Sequence, residues 1–102
     1  MNIRDILREV FEQKLTAEQA DEVLANVLDS PEAGNVESLL MLTRSEWTGY
    51  GHGATLADLA RWRYHGWPTQ CGRCGREIKV EKFGWKVIEA DGVVTLRHIH
   101  CP

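Results

Sequence analysis

The stretch CGRCGREIKVEKFGWKVIEADGVVTLRHIHC, residues 71–101, decides the fold of this chain. It opens on Cys71-Gly-Arg-Cys74 and closes on His98-Ile-His-Cys101. Between these pairs lie three strand-like segments: Glu77–Val80, Gly84–Ile88 and Val93–Ile99. Asp91-Gly92 joins the last two and is a strong signal for a two-residue hairpin turn. A hairpin there returns the chain on itself, so the second Cys/His pair meets the first.

A Cys-x-x-Cys turn lets two thiolates converge on one ion, because its small residues allow backbone amides to point at the sulfurs. Zinc takes four ligands tetrahedrally at about 2.0–2.3 Å, and His98 with Cys101 supplies a second pair at matching spacing. The expected set is therefore Cys71, Cys74, His98 and Cys101, holding one structural Zn2+. His100 is the weaker candidate, since neighbours on an extended strand point to opposite faces and His100 adjoins Cys101. The competing reading is a redox Cys-x-x-Cys. That chemistry favours a position after a strand and at a helix N-terminus, whereas here Trp67-Pro-Thr-Gln70 precedes the motif and a strand-like segment follows it. A closed Cys3His set leaves no open coordination position, so a catalytic metal is not expected. A site of this kind contributes on the order of 10 kcal/mol of apparent folding free energy.

With Gly75 and Ile78 after the first knuckle and an aromatic strand before the second, Cys-x2-Cys-x23-His-x2-Cys resembles a treble-clef or LIM-type zinc module. It is also similar to the fingers of poly(ADP-ribose) polymerases. The resemblance covers residues 71–101 and implies the metal site. It does not imply a partner class, because such modules bind DNA, RNA or protein on one scaffold. Those families continue into a helix or a second zinc site after the last ligand, whereas this sequence ends at Pro102.

Upstream of the metal motif the pattern is helical. Ile3, Ile6, Leu7, Val10 and Phe11 recur at helical spacing, with Asn2 as the N-cap. Thr16-Ala-Glu-Gln19 is a capping box that opens a second helix, striped by Ala20, Val23, Leu24, Val27 and Leu28 and stopped at Ser30-Pro31. The short link predicts an antiparallel helical hairpin. A third helical stretch is expected from Val36 to about Thr43. Trp47-Thr-Gly-Tyr-Gly-His-Gly53, with glycine at every second position, reads as a loop. Thr55-Leu-Ala-Asp58 opens a last helix to about His65, ended by Gly66 and Pro68. The expected fold class is α+β: one domain over 1–102, with a helical part (1–68) packed on a zinc-bound β-hairpin unit (69–102).

The 102 residues carry a net charge of −3. Residues 1–60 hold −7 and residues 61–102 hold +4, so only the C-terminal part suits nucleic acid. No apolar run approaches the roughly 20 residues of a membrane span. Acidic residues in MNIRDILREVFEQ exclude a secretory or transit signal, and three cysteines argue against a disulfide framework. A cytoplasmic location is expected.

Arg61-Trp-Arg-Tyr-His-Gly-Trp67 interleaves cations with rings. Such stretches stack on bases and grip phosphates, while the plainer reading has Trp62 and Trp67 joining helices to zinc unit. Arg63 shares a helical face with Leu56, Leu59 and Ala60, so it needs a partner; Glu46 or Asp58 would serve, the alternative being an acidic ligand. The glycine loop could offer amides to an anion, but it lacks a phosphate-loop lysine. His52 has no Ser, Cys or carboxylate placed by sequence to partner it, and no catalytic role is assigned to it. Taken together, the sequence predicts a non-enzymatic, zinc-stabilised binding protein. A protein partner is favoured, through Trp47, Tyr50, Arg61, Arg63 and Tyr64. Nucleic acid on the basic C-terminal part is the alternative.

Overall fold

The computed structural model describes residues 3–100, with Ala90 described by its backbone only. Three threonines start its helices. Thr16, Thr43 and Thr55 each accept from the amide three residues on, while Gln19, Glu46 and Asp58 reach back to the threonine amides. They open α2 (Ala17–Leu28), α4 (Arg44–Gly51) and α5 (Leu56–His65). The N-terminal helix α1 (Ile6–Phe11) is capped by Asp5, whose carboxylate accepts from Arg8 N. The Asn2 cap lies outside the described residues. The short α3 (Val36–Leu39) ends well before Thr43, because Thr43 is already the cap of the next helix.

The chain from Trp47 to Gly53 is not the expected loop. Most of it is α4, and the reason is packing. Gly49 faces α5 so closely that a Cβ there would lie 3.0 Å from Leu59 Cδ2 and 3.5 Å from the Trp67 ring. Glycine lowers helix propensity by about 1 kcal/mol, but at this crossing only glycine lets the two helices approach. Helix α1 touches α2 but finds its main neighbour in α5. Ile6, Leu7, Leu24, Leu40, Leu56 and Leu59 are essentially inaccessible and form the helical core; each such side chain contributes about 1.5–3 kcal/mol.

After Pro68 the chain forms the β-hairpin unit that carries Cys71, Cys74 and His98. Its sheet has two antiparallel strands, β1 (Trp85–Ala90) and β2 (Val93–His98), with Trp85 opposite His98 and Val87 opposite Leu96. Asp91 and Gly92 both have positive φ, 53° and 79°, as the tight primed turn requires. Glu77–Val80 is not a third strand. Glu77 makes a single bridge to Gln70, and at Val80 the chain enters a 3-10 turn over Val80–Lys82. Ile78 N instead bonds to Thr69 O at 2.8 Å. Aromatic rings weld the two parts: Trp62 lies 5.0 Å from Trp67, Trp67 lies 5.8 Å from Trp85, and His52 tilts onto Trp85 at 6.1 Å. No described helix is long and apolar enough to cross a membrane.

Candidate metal centre

The first pair of sulfurs is positioned by a knuckle. Cys71 N bonds to Arg76 O, Gly75 N returns to Cys71 O, and Gly75 takes a φ of 75° to close the turn. Gly72 N bonds to Leu96 O at 2.8 Å, which pins the knuckle to β2. A Cβ at Gly72 would lie 3.0 Å from Thr95, so this contact again requires glycine. His98, the last residue of β2, is thereby delivered to the knuckle.

Cys71, Cys74 and His98 place their ligand atoms within 4.8 Å of one another, and among the described residues they form one group able to hold a metal ion. Tetrahedral bonds of about 2.3 Å to sulfur and 2.0 Å to nitrogen put such ligand atoms about 3.5 Å apart. Cys74 Sγ and His98 Nδ1 are 3.5 Å apart. The other imidazole nitrogen, Nε2, lies 3.1 Å from Glu77 O. As a donor to that carbonyl it would leave Nδ1 unprotonated for the metal and fix the ring's orientation. The donor set fits a soft, tetrahedral ion.

The electrostatics favour thiolate. Burial pushes the Cys71 thiol up, but the amides of Cys74, His98 and Arg73 all point at its sulfur, at 3.4 Å each, and bring it down to about 5. The Cys74 and Cys71 sulfurs in turn hold His98 above its ordinary value. Cys101, the fourth expected ligand, lies outside the described residues. His100 is exposed and is not part of the group.

The remaining predicted residues divide. Arg63 is spent internally. Its Nε and Nη2 grip both carboxylate oxygens of Glu46, its Nη1 donates to Asp5 Oδ1 at 2.6 Å, and Nη2 also reaches Met41 O at 2.9 Å. Glu46 outweighs the cost of burial and holds the guanidinium above its usual pKa. Asp58, the other partner named for Arg63, pairs instead with Arg61 at 3.0 Å. Trp47 and Tyr50 stack on each other at 5.9 Å and are half-buried, with Tyr50 Oη 3.3 Å from Asp21 Oδ1. Burial, then the Asp21 charge, pushes the Tyr50 hydroxyl up.

Tyr64 differs from these. It is 40 % exposed and stacks on Phe11, itself 42 % exposed, with ring centres 4.3 Å apart. Tyr64 also lines a groove of about 650 Å³, together with Met41, Glu46, Arg63, Trp67 and Val80. Helical spacing places Phe11 on the apolar stripe; its position in the last turn of α1, where the core has already ended, is the signal that it faces outward. No family model, curated protein or solved structure matches this chain.

Proposed function

We propose that this chain is a zinc-stabilised, non-enzymatic binding protein that acts by docking onto a protein partner, as an adaptor or an antitoxin-, immunity- or inhibitor-like regulator does. The metal is one structural Zn2+ held by Cys71, Cys74, His98 and Cys101 in a treble-clef-like unit. Soft sulfur donors with one imidazole favour zinc, and zinc-bound thiolates would suit a cytoplasmic setting. The unit's part is to brace the aromatic weld at Trp67 and Trp85, and through it the helical end.

The observation that carries the reading is the Phe11–Tyr64 stack left open to solvent beside the groove, with Met41 50 % exposed on its lining. Two stacked rings and a flexible thioether are costly to leave in water, and tyrosine is among the residues that most often anchor interfaces. Arg61, exposed on the same helix, would lie at the rim. The test is affinity capture from the native cell with wild-type and Tyr64→Ala chains, both zinc-loaded and folded. A partner retained by the first and lost by the second supports the reading. Equal recovery from both chains, or no specific partner, removes it.

A further inference from the structure

Two features of the metal unit are locally unfavourable. The first is Phe83. It follows the 3-10 turn with φ 58° and ψ −152°, a conformation that glycine adopts readily and a side chain does not. Its ring is 39 % exposed and lies 6.3 Å from Trp85, nearly parallel to it, so one face is backed by a buried indole. It borders a depression of about 280 Å³ that Glu77, Ile78, Lys79, Lys82 and His98 also line. The second is the register of the hairpin. Lys86 stands directly opposite Arg97 on the face away from Trp85 and Leu96. Like charges at facing positions weaken a sheet. No ion pair relieves the second: among the described residues every ion pair lies in the helical part, and Arg97 donates to the His98 carbonyl at 3.2 Å.

From these we infer that the metal unit is a site for single-stranded nucleic acid, with Phe83 as the stacking platform and Lys79, Lys82, Lys86 and Arg97 as phosphate contacts. An open π-face takes an unpaired base, Lys79 and Lys82 beside it take the adjoining phosphates, and Lys86 and Arg97, on the other face of the hairpin, take those of the strand as it continues. A polyanion supplies the charge that the Lys86–Arg97 pair lacks. Arg61 and Arg63 do not belong to this site, since Asp58, Glu46 and Asp5 already neutralise them. The molecule is elongated, 44 Å in its longest dimension, and the inference stands apart from the protein-docking reading of the helical end.

The test is titration of the zinc-loaded full chain into a fluorescent oligothymidylate of about 12 nucleotides. Binding at low salt is expected, with log affinity falling linearly against log salt by about 0.7 for each phosphate contact. Phe83→Leu keeps an apolar side chain but removes the ring, so affinity should fall about tenfold with the unfolding midpoint little changed. Lys86→Glu converts the facing pair into one of opposite charge. It should raise the unfolding midpoint and yet weaken binding and flatten the salt slope. No binding at low salt, a Phe83→Leu chain that binds as wild type, or equal affinity for a poly-glutamate peptide of matched charge would each overturn the inference.

Discussion

Arg63 on α5 holds Glu46 on α4 through two of its nitrogens, and Glu46 is 98 % shielded from water, with a relative exposure of only 2 %. The same carboxylate caps its own helix by accepting from Thr43 N at 2.9 Å. One side chain thus closes a helix end and neutralises a charge that the apolar face of α5 would otherwise leave alone. Arg63→Ala strands a buried carboxylate, and breaking a buried pair in this way costs about 3–5 kcal/mol. Denaturant unfolding should show that loss. A variant within about 1 kcal/mol of wild type would mean the pair is far better hydrated than its burial indicates.

Two glycines of α4 should respond in opposite directions. Gly51 has nothing within 4 Å of the position a Cβ would take, so Gly51→Ala should stabilise by up to about 1 kcal/mol through helix propensity. At Gly49 the same methyl meets fully buried Leu59 on one side and Trp67 on the other. Gly49→Ala should destabilise by about 1–3 kcal/mol, as overpacking does. Thermal melts of both variants check the pair. A stabilising Gly49→Ala would show that the helix crossing has slack.

Local signals carried most of the helical reading, and they failed where packing overrode them. Thr16–Gln19 and Thr55–Asp58 were legible as caps, and Thr43-Arg-Ser-Glu46 carries the same pattern. The alternating glycines after Trp47 masked it, because nothing in the local sequence shows that Leu59 and Trp67 press on Gly49. Helical spacing put Arg63 on the apolar stripe and pointed to Glu46. Its second partner, Asp5, is 58 residues away in the chain and no periodicity reaches it. The Asp91-Gly92 turn was legible for the reason that it exists, a need for two positive φ angles. Glu77–Val80 has a strand's alternation, but a strand also needs a neighbour along its length, and only Gln70 is there. The spacing of Cys71, Cys74 and His98 announced the cluster that could hold a metal ion. The conformation of Phe83 had no sequence signature.

Arg4 and Glu9 form a two-pronged pair at 2.7 Å, and the hydrogen bonds from Arg4 hold the Glu9 carboxyl below its ordinary pKa. A lowered folded-state pKa means stability that is fully present above the unfolded value, about 4.3, and is lost as pH falls through the folded value. Both side chains keep contact with solvent, so the pair contributes no more than about 1 kcal/mol. Arg4→Gln should therefore be slightly less stable than wild type at pH 7 and indistinguishable from it once Glu9 is protonated in both. A gap that persists unchanged into strong acid would assign the effect to packing of the Arg4 stem.

Metal occupancy should control the order of residues 69–100. The expected stoichiometry is one zinc per chain, and a chelator should loosen the knuckle and the hairpin together. Gly72 is tied to Leu96 across them, and Cys71 receives amides from both. Trp85, buried and in ring contact with Trp67, is a built-in reporter, so its fluorescence should shift on metal removal and return on zinc addition. Cys74→Ser should reproduce the metal-free spectrum at neutral pH. The two histidines give the sharper discrimination. His98 Nδ1 lies beside Cys74 while its Nε2 faces the Glu77 carbonyl, whereas His100 is exposed and outside the group. His98→Ala should therefore lose the metal, with apparent zinc affinity reduced by orders of magnitude, and His100→Ala should keep it with a near-native melt. Glu77 contributes a backbone atom, so Glu77→Gln should leave affinity unchanged. If His100→Ala releases zinc and His98→Ala retains it, the ligand is misassigned. If neither does, the Nδ1–Sγ separation of 3.5 Å is a hydrogen bond and not the edge of a coordination tetrahedron.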